Sequence, residues 1–146
     1  MTHFTKITAG GKPARANAKN HAAVIDQRNG LMWTAKDVGT ATFRDAPALV
    51  ADLNADAFAS FTDWRLPTLQ ELFTLADHSR ISPAIDTDAF PTCTGGWYWS
   101  STVHASSPSA VAWYVYFGNG LASYYRQGLN GRVRAVRSVS SSASGQ

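Results

Sequence analysis

The residues that could do covalent or metal chemistry are few. The sequence holds one cysteine, Cys93, and four histidines, His3, His21, His78 and His104. A Cys–His pair makes a thiolate nucleophile only where the side chains meet and a third group orients the imidazole, and the spacing of Cys93 and His104 supplies neither condition. The histidines lack the short spacings of a zinc site, and a lone cysteine permits no intrachain disulfide. Asp86-Thr87-Asp88 could touch a cation, but two carboxylates in a proline-containing loop read as solvated turn residues. No Gly-x-Ser-x-Gly elbow and no phosphate-cradling glycine loop is present. No catalytic residue, metal ligand or cofactor is assigned.

What remains is recognition. All ten acidic residues lie at or before Asp88, so the stretch from Ala89 to Gln146 has no carboxylate side chain. That stretch carries Trp97, Trp99, Trp113 and all five tyrosines together with arginines, the composition of a binding surface. The ligand-binding candidates are His104, Ser106, Tyr114, Tyr116, Ser123, Tyr124, Tyr125, Gln127, Leu129 and Asn130, with Arg126 and Arg132 attracting anionic groups. A calcium-dependent sugar site is not expected where carboxylates are missing. The net charge of +3 comes without a basic helix or stripe, so nucleic acid is not an expected partner.

The elements that must position these residues can be read from periodicity. With 146 residues, 45% of them hydrophobic, the chain can build one core. Residues 1–21 read as an irregular lead-in with a short strand near Phe4 to Ile7. Apolar runs on both sides of Gln27-Arg28-Asn29-Gly30 predict a hairpin, because Asn and Gly tolerate positive φ. Leu49, Val50 and Leu53 recur at helical spacing over Asp45 to Asn54, with Pro47 in the first turn. Thr68-Leu69-Gln70-Glu71 matches a capping box and opens a second helix, expected to end near His78 and to bury Leu69, Leu72, Phe73 and Ala76. Residues 79–96 form a long connection. The period then becomes two: Trp113, Val115 and Phe117 face one side, Tyr114 and Tyr116 the other. A turn at Gly118-Asn119-Gly120 leads to a strand over Leu121 to Gln127, and Arg132 to Arg137 forms the last strand. Residues 138–146, rich in serine, read as a disordered tail. Two helices followed by hairpins make an α+β domain.

Gly30-Leu31-Met32-Trp33, Asp63-Trp64-Arg65-Leu66-Pro67-Thr68, Tyr98-Trp99-Ser100-Ser101-Thr102, Ala112-Trp113 with Phe117 and Gly120, and Val133-Arg134-Ala135-Val136-Arg137 occur in an order and spacing that resemble the C-terminal domain of the Legionella collagen-like adhesin. The resemblance spans residues 22–137. It implies a C-type lectin-like fold with two helices and small antiparallel sheets. Trp64, Arg65, Leu66, Pro67, Trp99, Trp113, Phe117 and Gly120 are then scaffold residues, with Trp64 and Leu66 beneath the second helix and Arg65 paired to a carboxylate or to carbonyls.

Members of the same lectin-like group include the variable proteins of diversity-generating retroelements, in which adenine-directed mutagenesis rewrites surface codons on a fixed backbone. The Tyr, Ser, His, Leu and Asn content of residues 103–130 is similar. The resemblance implies a non-enzymatic binder of a protein or glycan on a cell surface, diversified at outward positions. Two alternatives are a fixed adhesin-type module for acidic or sulfated glycans and a cryptic enzyme related to formylglycine generators. The single Cys93 departs from the cysteine usage of that enzyme branch. Oligomers are compatible with the sequence, although no heptad or collagen repeat specifies one. No signal-peptide core or membrane-length apolar run is present, so membrane insertion is not expected, and a virion component or a non-classically exported protein would look the same.

Overall fold

The computed structural model describes residues 3–139. Strands β1 (Phe4–Ile7), β2 (Ala23–Asp26), β3 (Leu31–Thr34) and β9 (Val136–Ser138) form one antiparallel sheet in that order. Strands β4 (Gly39–Ala41), β8 (Gly131–Val133), β5 (Trp97–Val103), β6 (Val111–Tyr116) and β7 (Leu121–Arg126) form a second. This second sheet is mixed, because β5 and β8 run parallel. Helices α1 (Ala46–Ala55) and α2 (Leu69–Phe73) complete an α+β domain.

The first sheet is buried on both faces. Val24, Leu31, Trp33 and Val136 enter a core with Leu72, Phe90, Tyr98, Val115 and Phe117, joining α2 to the second sheet. The alternate residues Ala23 and Met32 enter another core with Val50, Trp64 and Val133. Period two thus gives one sheet two apolar layers. The lead-in belongs to this sheet: β1 pairs with β2, and the buried Lys6 ammonium donates to Ala16 O, Ala18 O and Asp88. Ser138, expected in the tail, pairs with Leu31. The rest of that expected tail beyond Val139 lies outside the described residues.

The hairpin between β2 and β3 turns at Gly30, whose φ is 67°. At α2 the capping box closes as expected: Glu71 N–H donates to Thr68 Oγ1 at 3.2 Å and Thr68 N–H to Glu71 Oε1 at 3.0 Å. Thr68→Ala should cost about 1 kcal/mol. The helix stops at Phe73 rather than near His78, because Asp77 N–H bonds Ala84 O and His78 bonds Gly120 O. Leu75 therefore takes the buried place expected of Phe73, which is 41% exposed. Trp64 and Leu66 lie not beneath α2 but in the core on the α1 side, where Asn54 bonds both the N–H and the carbonyl of Trp64.

Arg65 reaches Glu71 in a two-pronged ion pair, 2.7 and 2.8 Å long, and its backbone exchanges hydrogen bonds with Val136 on β9. That guanidinium first, and the Thr68 N–H bond behind it, hold the Glu71 carboxyl below its ordinary range. Asp63 beside Arg137 and Asp88 beside Lys6 and Lys19 are lowered in the same way. Depressed carboxylates contribute stability that is fully present above their unfolded values and is lost as pH falls through the folded ones. The melting temperature is expected to hold down to about pH 5 and to fall below about pH 4. Thermal melts followed by circular dichroism at pH 7 to 2 check this, and Glu71→Gln should flatten the acid limb.

The expected last strand, Arg132 to Arg137, is two strands in two sheets. Gly131–Val133 lies between β4 and β5 in the second sheet, and Val136–Ser138 is the edge strand of the first. Arg134 and Ala135 make the crossing between them, and Arg134 is 0% exposed.

Candidate functional site

Strands β5, β6 and β7 carry the ligand candidates, and their register sorts the side chains. Directly paired residues share a face of the sheet. Trp97 pairs with Tyr116, Trp99 with Tyr114, Tyr114 with Ser123, Ala112 with Tyr125 and Tyr116 with Leu121. These lie on the face away from Tyr98, Val115 and Phe117, which are buried in the core. Of the sequence candidates, Tyr114, Tyr116, Ser123 and Tyr125 meet here.

Trp97 is the hub of this face. Its ring centroid lies 4.9 Å from Trp99, 4.9 Å from Tyr114 and 5.8 Å from Tyr125. Trp99 beneath it is fully buried, edge-on to Phe43, and donates its indole N–H to Ala41 O at 3.1 Å. A Cβ on Gly131 would stand 2.6 Å from the Trp97 ring, so that ring lies directly on the β8 backbone. A Cβ on Gly118 would likewise meet the Tyr116 ring at 2.3 Å. Both rings are seated by glycine, which orders them before any ligand arrives. Tyr116, Leu121 and Tyr125 are 42%, 59% and 45% exposed, a high value for such large apolar surfaces set side by side. Trp97 and Leu121 were not among the sequence candidates; extending the strand alternation back from Trp99 and forward to β7 would have found them.

Tyr124 and Arg126 alternate onto the opposite face, beyond the edge of the core. Tyr124 pairs with Trp113, and His104 covers both, stacked on Trp113 at 5.4 Å and 4.4 Å from Tyr124. Ser106 fixes His104: its backbone N–H donates to Nδ1 at 3.3 Å and its hydroxyl lies 2.9 Å from the same nitrogen. Trp113, expected in the core, is therefore half-buried under His104, because β6 runs past the core at this end. Arg126 is exposed and has no ion pair among the described residues.

Four expected site residues lie elsewhere or are used otherwise. Gln127 is 7% exposed, and its amide donates to Pro108 O and Val111 O, so it clamps the β6–β7 end and is not a ligand contact. Arg132 lies 3.6 Å from Asp37 and reaches Gly95 O, so its charge is partly met within the chain. Leu129 and Asn130 sit in the turn before β8, off the aromatic row. Gly120 takes φ 81° in the β6–β7 turn and lets His78 approach. Phe117 is fully buried.

Cys93 and His104 are in separate surroundings. The Cys93 sulfur is buried 3.7 Å from the Tyr98 hydroxyl, whereas the neighbours of His104 are Ser106, Trp113 and Tyr124. Asp86 accepts from the N–H groups of Asp88 and Ala89, and Asp88 pairs with Lys6 and Lys19, the behaviour of turn and clamp residues. Among the described residues, no group of three His, Cys, Asp or Glu side chains gathers to hold a metal ion, and no helix is long and apolar enough to cross a membrane.

The sequence model of one family, described as the Lcl C-terminal domain, matches residues 22–137 of this chain. No curated protein matches it. The matched span opens just before β2 and closes inside β9, so it includes the aromatic face and its support and leaves out β1.

Proposed function

Since the chain belongs to the Lcl C-terminal domain family, we propose that it is a non-enzymatic binding module of C-type lectin-like fold whose ligand face is the aromatic row on β5, β6 and β7. The observation that carries this reading is the Trp97–Tyr114–Tyr125 cluster, ordered from below and exposed above. Rigid aromatic side chains give large contact area at low entropic cost, and the absence of carboxylates from this region leaves the face open to hydroxyl-rich or anionic groups. The ligand is a protein or glycan displayed on a cell surface.

In its sharper form the proposal is that this face is the hypervariable surface of a diversity-generating retroelement. Tyr114, Tyr116, Ser123 and Tyr125 can change without touching the core, whereas Trp99, Val115 and Phe117 cannot. Deep sequencing of the 3′ end of the gene in a natural population tests it. Substitutions should concentrate at codons 114, 116, 123 and 125, trace to adenines in a nearby template repeat, and spare codon 127, whose side chain is buried. Fixed codons and no template repeat would sink the retroelement form and leave a dedicated module.

A second reading, an acidic or sulfated glycan binder, draws on Arg126 beside the Tyr124–Trp113–His104 rings. Such binding is electrostatic and screened by salt. Arg126→Ala is then expected to elute from heparin at clearly lower salt than the parent, while Arg132→Ala, whose charge already serves Asp37, shifts elution little. Equal elution of parent and Arg126→Ala would remove this reading.

A further inference from the structure

The edge strands of the two sheets are β1, β9, β4 and β7. An edge presents unpaired N–H and C=O groups, and proteins blunt their edges by covering or shortening them. Two of these edges are covered. The lead-in folds back on β1, where Ala14 N–H donates to Lys6 O and Pro13 bridges Ile7, and Arg65 exchanges backbone hydrogen bonds with Val136 on β9. β4 is short, with 3 residues. β7 has 6, contains no proline or lysine, and keeps an unshifted register with β6 along its whole length.

The phase of that ladder identifies the groups left over. Gln127 N–H donates to Ala110 O, and in an antiparallel pair the bonded residues recur at every second position. Tyr125 and Ser123 therefore engage β6 with their backbone groups, while the N–H and C=O of Ala122 and Tyr124 and the N–H of Arg126 point outward. None of these outward groups has a partner among the described residues.

Side chains flank this edge on both faces. Leu121 and Tyr125 stand on the row face, and Tyr124, 52% exposed, stands with Arg126 on the other. The two groups of ligand candidates thus lie on opposite sides of one sheet. A ligand lying on the row meets the first group alone, whereas an occupant running along the β7 edge meets both.

Charge selects that occupant. Arg126 is exposed and has no ion pair among the described residues. A second copy of Leu121–Arg126 would bring it no carboxylate, and would set together two chains of net charge +3. A strand with a carboxylate opposite Arg126 makes a favourable cross-strand pair.

We propose that β7 is the docking edge for an extended acidic segment of a partner protein, which adds to the second sheet as an antiparallel strand. Its backbone meets Ala122 and Tyr124, its alternate side chains lie along Leu121 and Tyr125 on one face and Tyr124 on the other, and its carboxylate pairs with Arg126. This rests on the binding-module reading and names the partner as a protein strand.

Selection of random peptides displayed on yeast against the full chain tests it, followed by amide hydrogen exchange of the chain with and without the best peptide. Selection should enrich sequences bearing Asp or Glu. The Ala122, Tyr124 and Arg126 amides should then slow by at least about tenfold, while those of Ser123 and Tyr125, already bonded to β6, change little. Arg126→Glu should weaken the peptide by about tenfold, and Arg28→Glu, at the exposed β2–β3 turn, should not. Failure to enrich any peptide, or binding without protection at Ala122 and Tyr124, would overturn the proposal. Neither result touches the sequencing test of the row, and the second leaves the row as the ligand face. Protection of the same amides in a dimer of the chain alone would assign the edge to a second copy and overturn the proposal equally.

Discussion

Arg134→Ala is expected to destabilise the protein by about 3–5 kcal/mol, the range found when one partner of a buried ion pair is removed. Arg134 is fully buried where the chain crosses between its two sheets. Its Nη1 donates to Thr34 O at 2.7 Å, and its Nη2 approaches the Tyr98 hydroxyl at 3.4 Å and Asp37 at 3.5 Å. The guanidinium also stands 4.7 Å from the centre of the Phe90 ring and 5.1 Å from that of Tyr98. Truncation leaves a carbonyl and a hydroxyl without a donor and opens a cavity between two aromatic rings, so desolvation and packing losses add. Asp37 is 30% exposed and can turn to water, which keeps the loss toward the lower end of the range. Arg134→Lys retains the charge but has no planar fork, and should lose less than Ala and more than a surface substitution. Urea denaturation at pH 7 measures both, and a loss below about 1 kcal/mol for Ala would show that the crossing is not held by this residue.

Arg134 also shows what the sequence conceals. Beside Arg126, Arg132 and Arg137, in a stretch without acids, it reads as one more surface charge. Its partner Asp37 is almost a hundred positions away, and only the crossing from β8 to β9 brings them together. Gln127 misleads for the same reason: a polar residue at a strand end is taken for an outward one until Pro108 and Val111 are seen to accept from it. The features that were legible are local. Asn29-Gly30 sets its own turn, Thr68 and Glu71 cap their own helix, and the alternation through β6 separates Val115 and Phe117 from Tyr114 and Tyr116 within one strand. The same alternation puts Tyr124 and Tyr125, adjacent on β7, on different faces, but it could not show that the core ends before Trp113. β4 has three residues, Gly39 to Ala41, too few for any period to register, and its partner β8 is remote.

Trp99 links core to ligand face, and Trp99→Ala is expected to cost about 3–5 kcal/mol and to dismantle the aromatic row in whatever remains folded. The ring is fully buried between Phe43 and Trp97, at 5.6 and 4.9 Å, and its N–H satisfies Ala41 O on β4. Removing it deletes a large buried area and two edge-to-face contacts, and leaves the Ala41 carbonyl unanswered. Trp97, which rests on Trp99 from above and on Gly131 from the side, would lose one of its two supports and with it the fixed spacing to Tyr114 and Tyr125. Trp99→Phe keeps an aromatic edge under Trp97 but not the N–H, so its loss should be smaller. Near-ultraviolet circular dichroism should report the difference: Trp99→Phe keeps most of the aromatic signal at low temperature, and Trp99→Ala loses it even where the far-ultraviolet spectrum stays folded. Retention of that signal by Trp99→Ala would mean that the Gly131 seat alone orders Trp97. The ligand face would then be independent of the core beneath it.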